Sequence, residues 1–269
     1  MEKEPSAINQ LPGVVYSHFI NELIVGEQFI EEHGLCFILS GKLKVSDAGE
    51  SKIFSTGEII FFRKNFLAKF VKQPDEKQGF KSITVVFNKN VLRDFSKQYD
   101  TIYSSPYPIN DAVLHMEPSI LLDNFYKTLT LYLNSPLPDQ LVRLKQYEVL
   151  LLLLQVNPDL KNILFDFNQP GKIDLEAFMK QNFRFNVPLK KLAFLTGRSL
   201  ATFKRDFEKV FHTTPNKWLQ QRRLEEAHYL IKEKSKRPSD VYHEVGFESI
   251  SHFSYSFKQF FGFNPSSLQ

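Results

Sequence analysis

The sequence contains a single cysteine, Cys36, among its 269 residues. One cysteine cannot form a disulfide within the chain or supply a cysteine-rich zinc site, so the pattern favours a reducing cytosol and a cytoplasmic protein. Its expected role is that of a small buried hydrophobic side chain. The sequence therefore predicts neither a disulfide scaffold nor a metal–thiolate centre.

Long hydrophobic runs are also missing. No stretch of about 18 apolar residues occurs, so the sequence predicts no transmembrane helix and no membrane partner. Residues 1–10 are polar and acidic, and we expect no signal peptide there. The length suggests about two domains at roughly 100–200 residues each.

The patterns that accompany catalysis are scarce. The sequence has no nucleophile elbow and no glycine-rich phosphate loop. Its seven histidines are scattered, and no pair has the close spacing of metal ligands. We therefore expect no catalytic residues, no cofactor and no metal, and a protein that is not an enzyme. The histidines are His18, His33, His115, His212, His228, His243 and His252.

Charge is distributed unevenly along the chain. Residues 168–269 carry 17 Lys and Arg against 10 Asp and Glu, a net charge of +7. Residues 1–167 carry 17 against 20, a net charge of −3. A basic C-terminal part on a mildly acidic front part indicates that the C-terminal part meets a polyanion.

Short segments rich in β-branched and aromatic residues fill the region from residue 12 to residue 88. Turn residues separate them, a pattern typical of a small β-barrel or sandwich. Ser40-Gly41-Lys42 and Asp47-Ala48-Gly49 are predicted to connect successive antiparallel strands. The predicted strands cover residues 14–19, 35–39, 42–46, 58–62 and 80–87.

Helical patterns follow. We predict a short helix at 91–99, a proline-containing loop at 103–118, and two helices at 119–134 and 139–156. The last helix contains an apolar run at 149–154, so it must be buried on more than one face. It packs either between the barrel and its neighbour helix or also in a homodimer interface, and the sequence leaves both open. Residues 157–171 fit a linker.

An internal repeat dominates the C-terminal part. Residues 199–211 align with residues 249–261 at an offset of fifty, and five identities coincide in that register. The phenylalanines recur every four residues and so lie on one face of a helix. The repeat therefore predicts two copies of one helical unit. The coinciding pairs are Ser199 and Ser249, Phe203 and Phe253, Phe207 and Phe257, Phe211 and Phe261, and Pro215 and Pro265.

The pattern of each copy predicts a helix-turn-helix. A short helix (189–195, then 240–245) leads to Gly197 or Gly246, and a serine that favours the helix N-cap follows. In that motif the second helix enters the DNA major groove. A connecting helix from Pro215 to about Glu233 spans 19 residues, about 28 Å at 1.5 Å per residue. It would place two recognition helices about one DNA turn apart, roughly 34 Å.

Residues from about 173 to the end closely resemble the DNA-binding domain of the AraC/XylS family of transcription regulators. The resemblance lies in Leu-Thr-Gly-Arg-Ser at 195–199, Arg-Leu-Glu-Glu-Ala at 223–227, Glu-Val-Gly-Phe at 244–247 and Phe-Lys-Gln-Phe-Phe-Gly-Phe-Asn-Pro at 257–265. It implies an α+β multidomain protein: a cupin-like sensor and dimerisation domain at 1–157, a linker at 158–171, and an all-α double helix-turn-helix domain at 172–269.

The front part resembles the cupin-like sensor domain of that family, through Leu-Ser-Gly-Lys at 39–42 and Gly-Glu-Ile-Ile-Phe-Phe at 57–62. Cupins that use a metal carry a His-x-His pair with a following Glu near the first motif. This chain offers only Glu31, Glu32 and His33 there, so we expect no metal site. The layout resembles the subgroup regulated by a protein partner. The resemblance implies an effector ligand or regulatory protein, RNA polymerase as a partner, a homodimer and activation of transcription.

The residues expected to touch DNA lie between the phenylalanines of each recognition helix. Lys204 and Arg205 are the best candidates for base contacts, because Arg or Lys paired with guanine is the commonest specific contact. The second helix is less charged and is expected to contact the backbone or read DNA shape. The first set is Ser199, Leu200, Ala201, Thr202, Lys204 and Arg205. The second set is Ser249, Ile250, Ser251, His252, Ser254 and Tyr255. The phosphate-contact candidates are Lys190, Lys191, Arg198, Lys217, Arg222, Lys236 and Arg237, with Arg223 supplying further positive charge.

Two alternatives stay open at this point. One is an enzyme built on a cupin barrel with a basic tail, which stoichiometric bound metal would support. The other is a protein-interaction regulator whose helix-turn-helix has lost DNA readout, and the weakly polar second helix keeps that reading open.

Overall fold

The computed structural model describes residues 7–11, 13–20, 24–47, 50–108, 111–132 and 138–268. Its contacts divide the chain into two compact units, Met1–Asn168 and Gln169–Gln269. Within the described ranges, no helix is long and apolar enough to cross a membrane.

The first unit is built on two antiparallel sheets. The larger one has the strand order β1-β2-β9-β4-β7-β10 and the smaller one β3-β8-β5-β6, counted over the residues that the structure describes. The strands are β1 Ala7–Leu11, β2 Val14–Phe19, β3 Ile24–Ile30, β4 His33–Ser40, β5 Lys42–Asp47, β6 Glu50–Ser55, β7 Ile59–Phe62, β8 Phe66–Gln73, β9 Phe80–Phe87 and β10 Val113–His115.

The larger sheet is buried on both faces, as its alternating side chains require. On β4, Leu35 belongs to the core formed with the helices, whereas Ile38 belongs to the core between the two sheets. On β7, Phe61 and Ile60 divide in the same way. The sheet is thus the middle layer of the unit, with the smaller sheet on one side and helices on the other.

The five strands predicted from the sequence are confirmed, each within two residues at either end. The hairpin at Asp47 is also confirmed, since Asp47 pairs with Glu50 across β5 and β6, while residues 48 and 49 lie outside the described residues. The hairpin predicted at Ser40-Gly41-Lys42 is wrong. There β4 pairs with β7 and β9, and β5 pairs with β6 and β8, so Gly41 carries the chain from one sheet to the other.

Helices α1 Lys89–Gln98, α2 Ile120–Thr130 and α3 Asp139–Val156 complete the first unit. Helix α2 ends four residues before the predicted end at residue 134, which lies outside the described residues. Helix α3 has the predicted bounds but is covered on one side within the unit. Leu144 is 65% exposed and Leu151 is 42% exposed, so the apolar run is not enclosed on every face.

The linker predicted at 158–171 is wrong over its first half. Residues 158–160 form a 3-10 turn, and α4, Lys161–Leu164, follows directly. Leu160, Leu164 and Phe165 are buried in the core that also contains α3. Their burial in that core attaches this segment to the first unit, and the division between the units comes after residue 168.

In the second unit, helices are the only regular elements over residues 169–268, which the structure describes. The predicted pattern is confirmed for α6, α7, α8 and α10, while α9 begins two residues earlier and ends one residue earlier than predicted, and α5 was not predicted. The α+β arrangement of antiparallel sheets and helices followed by a helical domain is therefore confirmed. The helices are α5 Leu175–Asn182, α6 Leu189–Leu195, α7 Leu200–Phe211, α8 Pro215–Lys232, α9 Pro238–Glu244 and α10 Ile250–Phe261.

Candidate nucleic-acid interface

Helices α6 and α7 form the first helix-turn-helix. The Ser199 hydroxyl accepts a hydrogen bond from the Thr202 N–H at 3.2 Å, so Ser199 is the N-cap that starts α7. Phe203 and Phe207 are fully buried, and Phe211 is half-buried with its ring 4.6 Å from that of Trp218. Because the aromatic residues fix one face of α7 inward, its other face points to solvent.

The exposed face of α7 carries the residues predicted to meet DNA. Leu200, Ala201, Lys204 and Arg205 are exposed and Thr202 is half-buried. The Arg205 side chain is 66% exposed, and its guanidinium lies 3.6 Å from Asp206, a loose contact that leaves it able to reach a base.

The turn between α6 and α7 requires glycine. Gly197 has φ +65°, and a Cβ added there would lie 2.4 Å from the backbone carbonyl of Gly171. Both the left-handed backbone and the close approach of residues 171–172 exclude a side chain. The turn is therefore fixed by contact with the segment that precedes α5.

Arg198 was predicted as a phosphate contact, but its guanidinium forms hydrogen bonds within the second unit, at the turn between α6 and α7. Its side chain is 7% exposed, and its Nε donates to Asp206 Oδ2 at 3.1 Å. Its Nη1 donates to the carbonyl oxygens of Thr196 and Ile173. The Arg198 hydrogen bond holds the pKa of the Asp206 carboxyl below its usual value. This geometry indicates a structural role for Arg198 and contradicts its prediction as a phosphate contact.

Helices α9 and α10 repeat the arrangement. The Ser249 hydroxyl accepts from the His252 N–H at 3.2 Å, and Phe253 and Phe257 are fully buried. The turn is one residue longer than in the first copy, and Phe247 fills it, with its ring 5.3 Å from that of Phe253.

The outer face of α10 is less charged than that of α7. Ile250, Ser251, His252 and Tyr255 are exposed, and Ser254 is half-buried. The predicted residues of this second set thus share one accessible face, but they offer no basic side chain.

Helix α8 links the two copies. It has 18 residues, one fewer than predicted, so it is about 27 Å long. Pro215 occupies its first turn, where the missing N–H costs nothing. Leu224, Ala227 and Ile231 are buried in the core of the second copy.

Comparison with known proteins agrees with this geometry. A family model described as the ExsA N-terminal regulatory domain matches residues 33–163, and one described as a helix-turn-helix domain matches residues 192–269. The HTH-type transcriptional regulator ExsA of Pseudomonas aeruginosa is 26% identical over 238 residues, which cover 88% of this chain and 85% of that protein. The thermoregulatory protein LcrF of Yersinia pestis is 26% identical over 248 residues, covering 88% and 89%.

The chain belongs to the AraC/XylS family. It is a DNA-binding transcription regulator with an N-terminal regulatory domain, and it is not an enzyme. A crystal structure of apo ToxT from Vibrio cholerae covers 97% of this chain and 98% of its own, at 14% identity and a TM-score of 0.46. That likeness is too low to bear on the arrangement or function of this chain.

The other basic residues predicted to contact phosphate in this AraC/XylS protein differ in their surroundings. Lys190 and Lys217 are exposed, and neither takes part in the ion pairs found among the described residues. Arg222 pairs with Glu225 at 2.7 Å and Lys236 with Glu244 at 2.6 Å, and Arg237 pairs with Asp240 at 3.1 Å. Lys191 is half-buried. Exposed pairs of this kind contribute little to stability, so their cations can exchange a carboxylate for a phosphate.

A cleft of about 450 Å³ opens between the two helix-turn-helix copies. His252 and Arg223 in its lining were singled out from the sequence but its other polar residues were not, because no short motif marks them and the lining comes from three separate stretches, 186–189, 216–223 and 246–252. Among the residues that line it are Asn186, Asn216, Gln220, Arg223, Glu248 and His252.

His33, next to the motif where metal-using cupins carry their ligands, is a core residue in this AraC/XylS protein. His33 is buried, stacks on Phe61 and accepts a hydrogen bond at Nδ1 from the Lys64 N–H. Burial, with the positive charge of Lys64 second, lowers the pKa of His33 to about 3. In the part of the chain that the structure describes, no group of three His, Cys, Asp or Glu is placed to hold a metal ion.

Proposed function

We propose that α7 and α10 enter two successive major grooves on one face of a DNA duplex. The observation that supports this most is the shared construction of the two copies. In each, a serine caps the recognition helix, two phenylalanines are buried and the N-terminal part of the opposite face is exposed. Helix α8 is about 27 Å long, which suits two recognition helices separated by one turn of DNA, about 34 Å.

The two recognition helices contribute differently to base recognition, because only α7 carries exposed Lys and Arg side chains among the predicted contacts. Arg205 and Lys204 read bases in one groove, since both are exposed and long enough to reach a guanine edge. On α10, Ser251, His252 and Ser254 donate to the backbone or to bases. Ile250 meets a thymine methyl, and Tyr255 adds contact area. Ser199 and Ser249 act as caps that start each helix next to the DNA, and Leu200, Ala201 and Thr202 complete the first contact surface.

Electrostatic attraction supplies much of the affinity. The basic residues around the two helices neutralise phosphates, which makes binding fall steeply as salt rises. This set is Lys190, Lys191, Lys217, Arg222, Lys236 and Arg237.

The first unit controls the second. It responds to a small ligand or a regulatory protein, and α2 and α3 contribute to a homodimer in the cytoplasm. The exposed Leu144 and Leu151 of α3 support the dimer, because they lie seven residues apart and so on one face of the helix. The DNA-bound protein then recruits RNA polymerase and activates transcription.

Selection from a random DNA library with the full-length protein, at two salt concentrations, tests the proposal. We expect an enriched motif with two boxes about one helical turn apart. The same selection with Arg205→Ala should lose base preference within one box. If nothing is enriched at low salt, DNA recognition by these helices is ruled out, and the alternative of a protein-interaction regulator takes its place.

A further inference from the structure

The two helix-turn-helix copies are joined by more than α8. Arg223 lies near the middle of that helix, and its guanidinium binds three backbone carbonyls. Its Nε donates to Phe183 O at 2.8 Å, and its Nη2 donates to Phe185 O at 2.9 Å. Its Nη1 donates to Gly246 O at 3.0 Å. The first two carbonyls precede the first helix-turn-helix and the third lies in the turn of the second, so one side chain ties the copies together.

A second link connects the same two segments directly. The side-chain amide of Asn186 donates to Glu248 Oε1 at 2.7 Å. Asn186 lies three residues before α6, and Glu248 immediately precedes the cap Ser249 of α10. A charge-assisted hydrogen bond therefore bridges the entry of the first copy and the start of the second recognition helix.

The backbone that precedes the first copy also touches the turn of the second. Gly246 has φ +95°, and a Cβ added there would lie 2.5 Å from the carbonyl oxygen of Arg184. Arg184 in turn pairs with Glu226, one helical turn beyond Arg223 on α8. Residues 183–186 therefore contact both α8 and the turn of the second copy.

We propose that Arg223, Asn186, Gly246 and Glu248 form a latch that fixes the separation of α7 and α10, and thereby sets the spacing of DNA boxes that the protein accepts. This inference rests on the proposed two-box reading. One added base pair moves a box by about 3.4 Å along the duplex and turns it by about 35° around it. A latched pair of helices cannot follow that movement without losing contacts, whereas an unlatched pair can adjust.

The test uses the full-length protein and duplexes that carry the selected two-box motif with spacings of −1, 0, +1 and +2 base pairs. Dissociation constants are measured at one salt concentration for wild type, Arg223→Lys and Asn186→Ala. Lysine keeps the charge but cannot span three carbonyls, because it lacks the planar fork of arginine. Lys217→Ala is the matched control, since Lys217 is an exposed cation of the same helix and takes no part in the contacts with residues 183–186 described above.

We expect wild type to lose about tenfold in affinity when one base pair is added, a difference of about 1.4 kcal/mol. The Arg223→Lys and Asn186→Ala proteins should lose less than about threefold for the same change. Lys217→Ala should weaken binding by the same factor at every spacing, as loss of a phosphate contact does.

The outcomes separate the two proposals. A wild-type spacing optimum that both variants keep unchanged overturns the latch and leaves the two-box reading intact. A wild type without any spacing preference also overturns the latch, because an unlatched pair of helices can adjust, whereas a selection that yields no second box overturns the two-box proposal. Thermal unfolding is measured alongside, and if Arg223→Lys does not fold, Asn186→Ala decides, because its bond to Glu248 is exposed.

Discussion

Arg198 and Asp206 form an ion pair that closes the turn of the first helix-turn-helix, with Nε and Oδ2 3.1 Å apart. The second copy has no equivalent ion pair between its turn and its recognition helix among the described residues. Phe247 occupies the position after the turn glycine, and buried Ser256 stands fifty residues after Asp206. Two copies of one motif thus keep the same helix geometry with different chemistry behind it.

Replacing Arg198 by alanine should lower stability and leave the number of phosphate contacts unchanged. The substitution removes three hydrogen bonds from a nearly buried guanidinium, so we expect the unfolding midpoint to fall by roughly 5 °C. The slope of log affinity against log salt should stay at its wild-type value.

Lys217→Ala is the matched control for that prediction. Lys217 is exposed on α8, so its loss should leave the midpoint unchanged and reduce the salt slope by about one. If Arg198→Ala reduces the salt slope and keeps the midpoint, Arg198 contacts phosphate after all.

Arg205→Ala should relax base preference at one position of one box, at a cost of about 1–3 kcal/mol. The reason is its exposed guanidinium on the outer face of α7. Binding to the selected motif and to single-base variants measures the effect. Lys209→Ala, an exposed change in the last turn of the same helix, should not alter base preference. Equal losses on all sequences would make Arg205 a phosphate contact.

Gly197→Ala should destabilise the second unit more than Gly262→Ala. Both glycines have positive φ, at +65° and +85°. A Cβ at Gly197 would meet the backbone of Gly171 at 2.4 Å, whereas at Gly262 no atom of the residues that the structure describes lies within 4 Å. Gly262→Ala should cost about 1 kcal/mol from backbone strain alone. Thermal unfolding of the two variants compares them, and equal midpoints would contradict the close approach at Gly197.

The stability of the first unit should fall in mild acid because of His33. Burial holds the pKa of folded His33 at about 3, while the unfolded chain takes up a proton near pH 6.5. The contribution is complete above pH 6.5 and is lost as the pH falls from 6.5 towards 3, by up to about 1.4 kcal/mol per pH unit. Urea unfolding followed by circular dichroism measures it. The difference between wild type and His33→Gln should shrink as the pH falls from 7 to 4, and parallel pH profiles would contradict the assignment.

The recognition helices were predictable to the residue because their signal is local. Phenylalanines four residues apart, a serine cap and a turn glycine each act within one or two helical turns. The same reasoning extended α2 too far, since its apolar spacing continues beyond Thr130, where the helix ends.

Much of the first unit depends on contacts that are distant in sequence. Strand β8 has no regular alternation of apolar and polar residues, and β10 has only three residues, held by pairing Val113–His115 with β7. The Ser40–Lys42 turn resembles a hairpin locally, yet the chain changes sheets there. These features depend on which strands pair, and strand pairing is decided by contacts between distant segments that no single segment reveals.

The roles of Arg198 and Arg223 could not be predicted either. A sequence shows a positive charge and the helix that carries it, but not the carbonyl oxygens that will surround it. Both arginines looked like candidates to meet DNA, and both bind backbone of the second unit instead.

Chemical interference in the major groove tests the central account most directly. Guanines and thymines of the selected duplex are modified on their major-groove edges, and molecules bound by the full-length protein are separated from free ones. Two clusters of interfering positions about 10–10.5 base pairs apart on one face are predicted, and Arg205→Ala should abolish interference at one position within one cluster only. A single cluster, or interference unaffected by Arg205→Ala, would contradict a protein that reads two grooves with two helices.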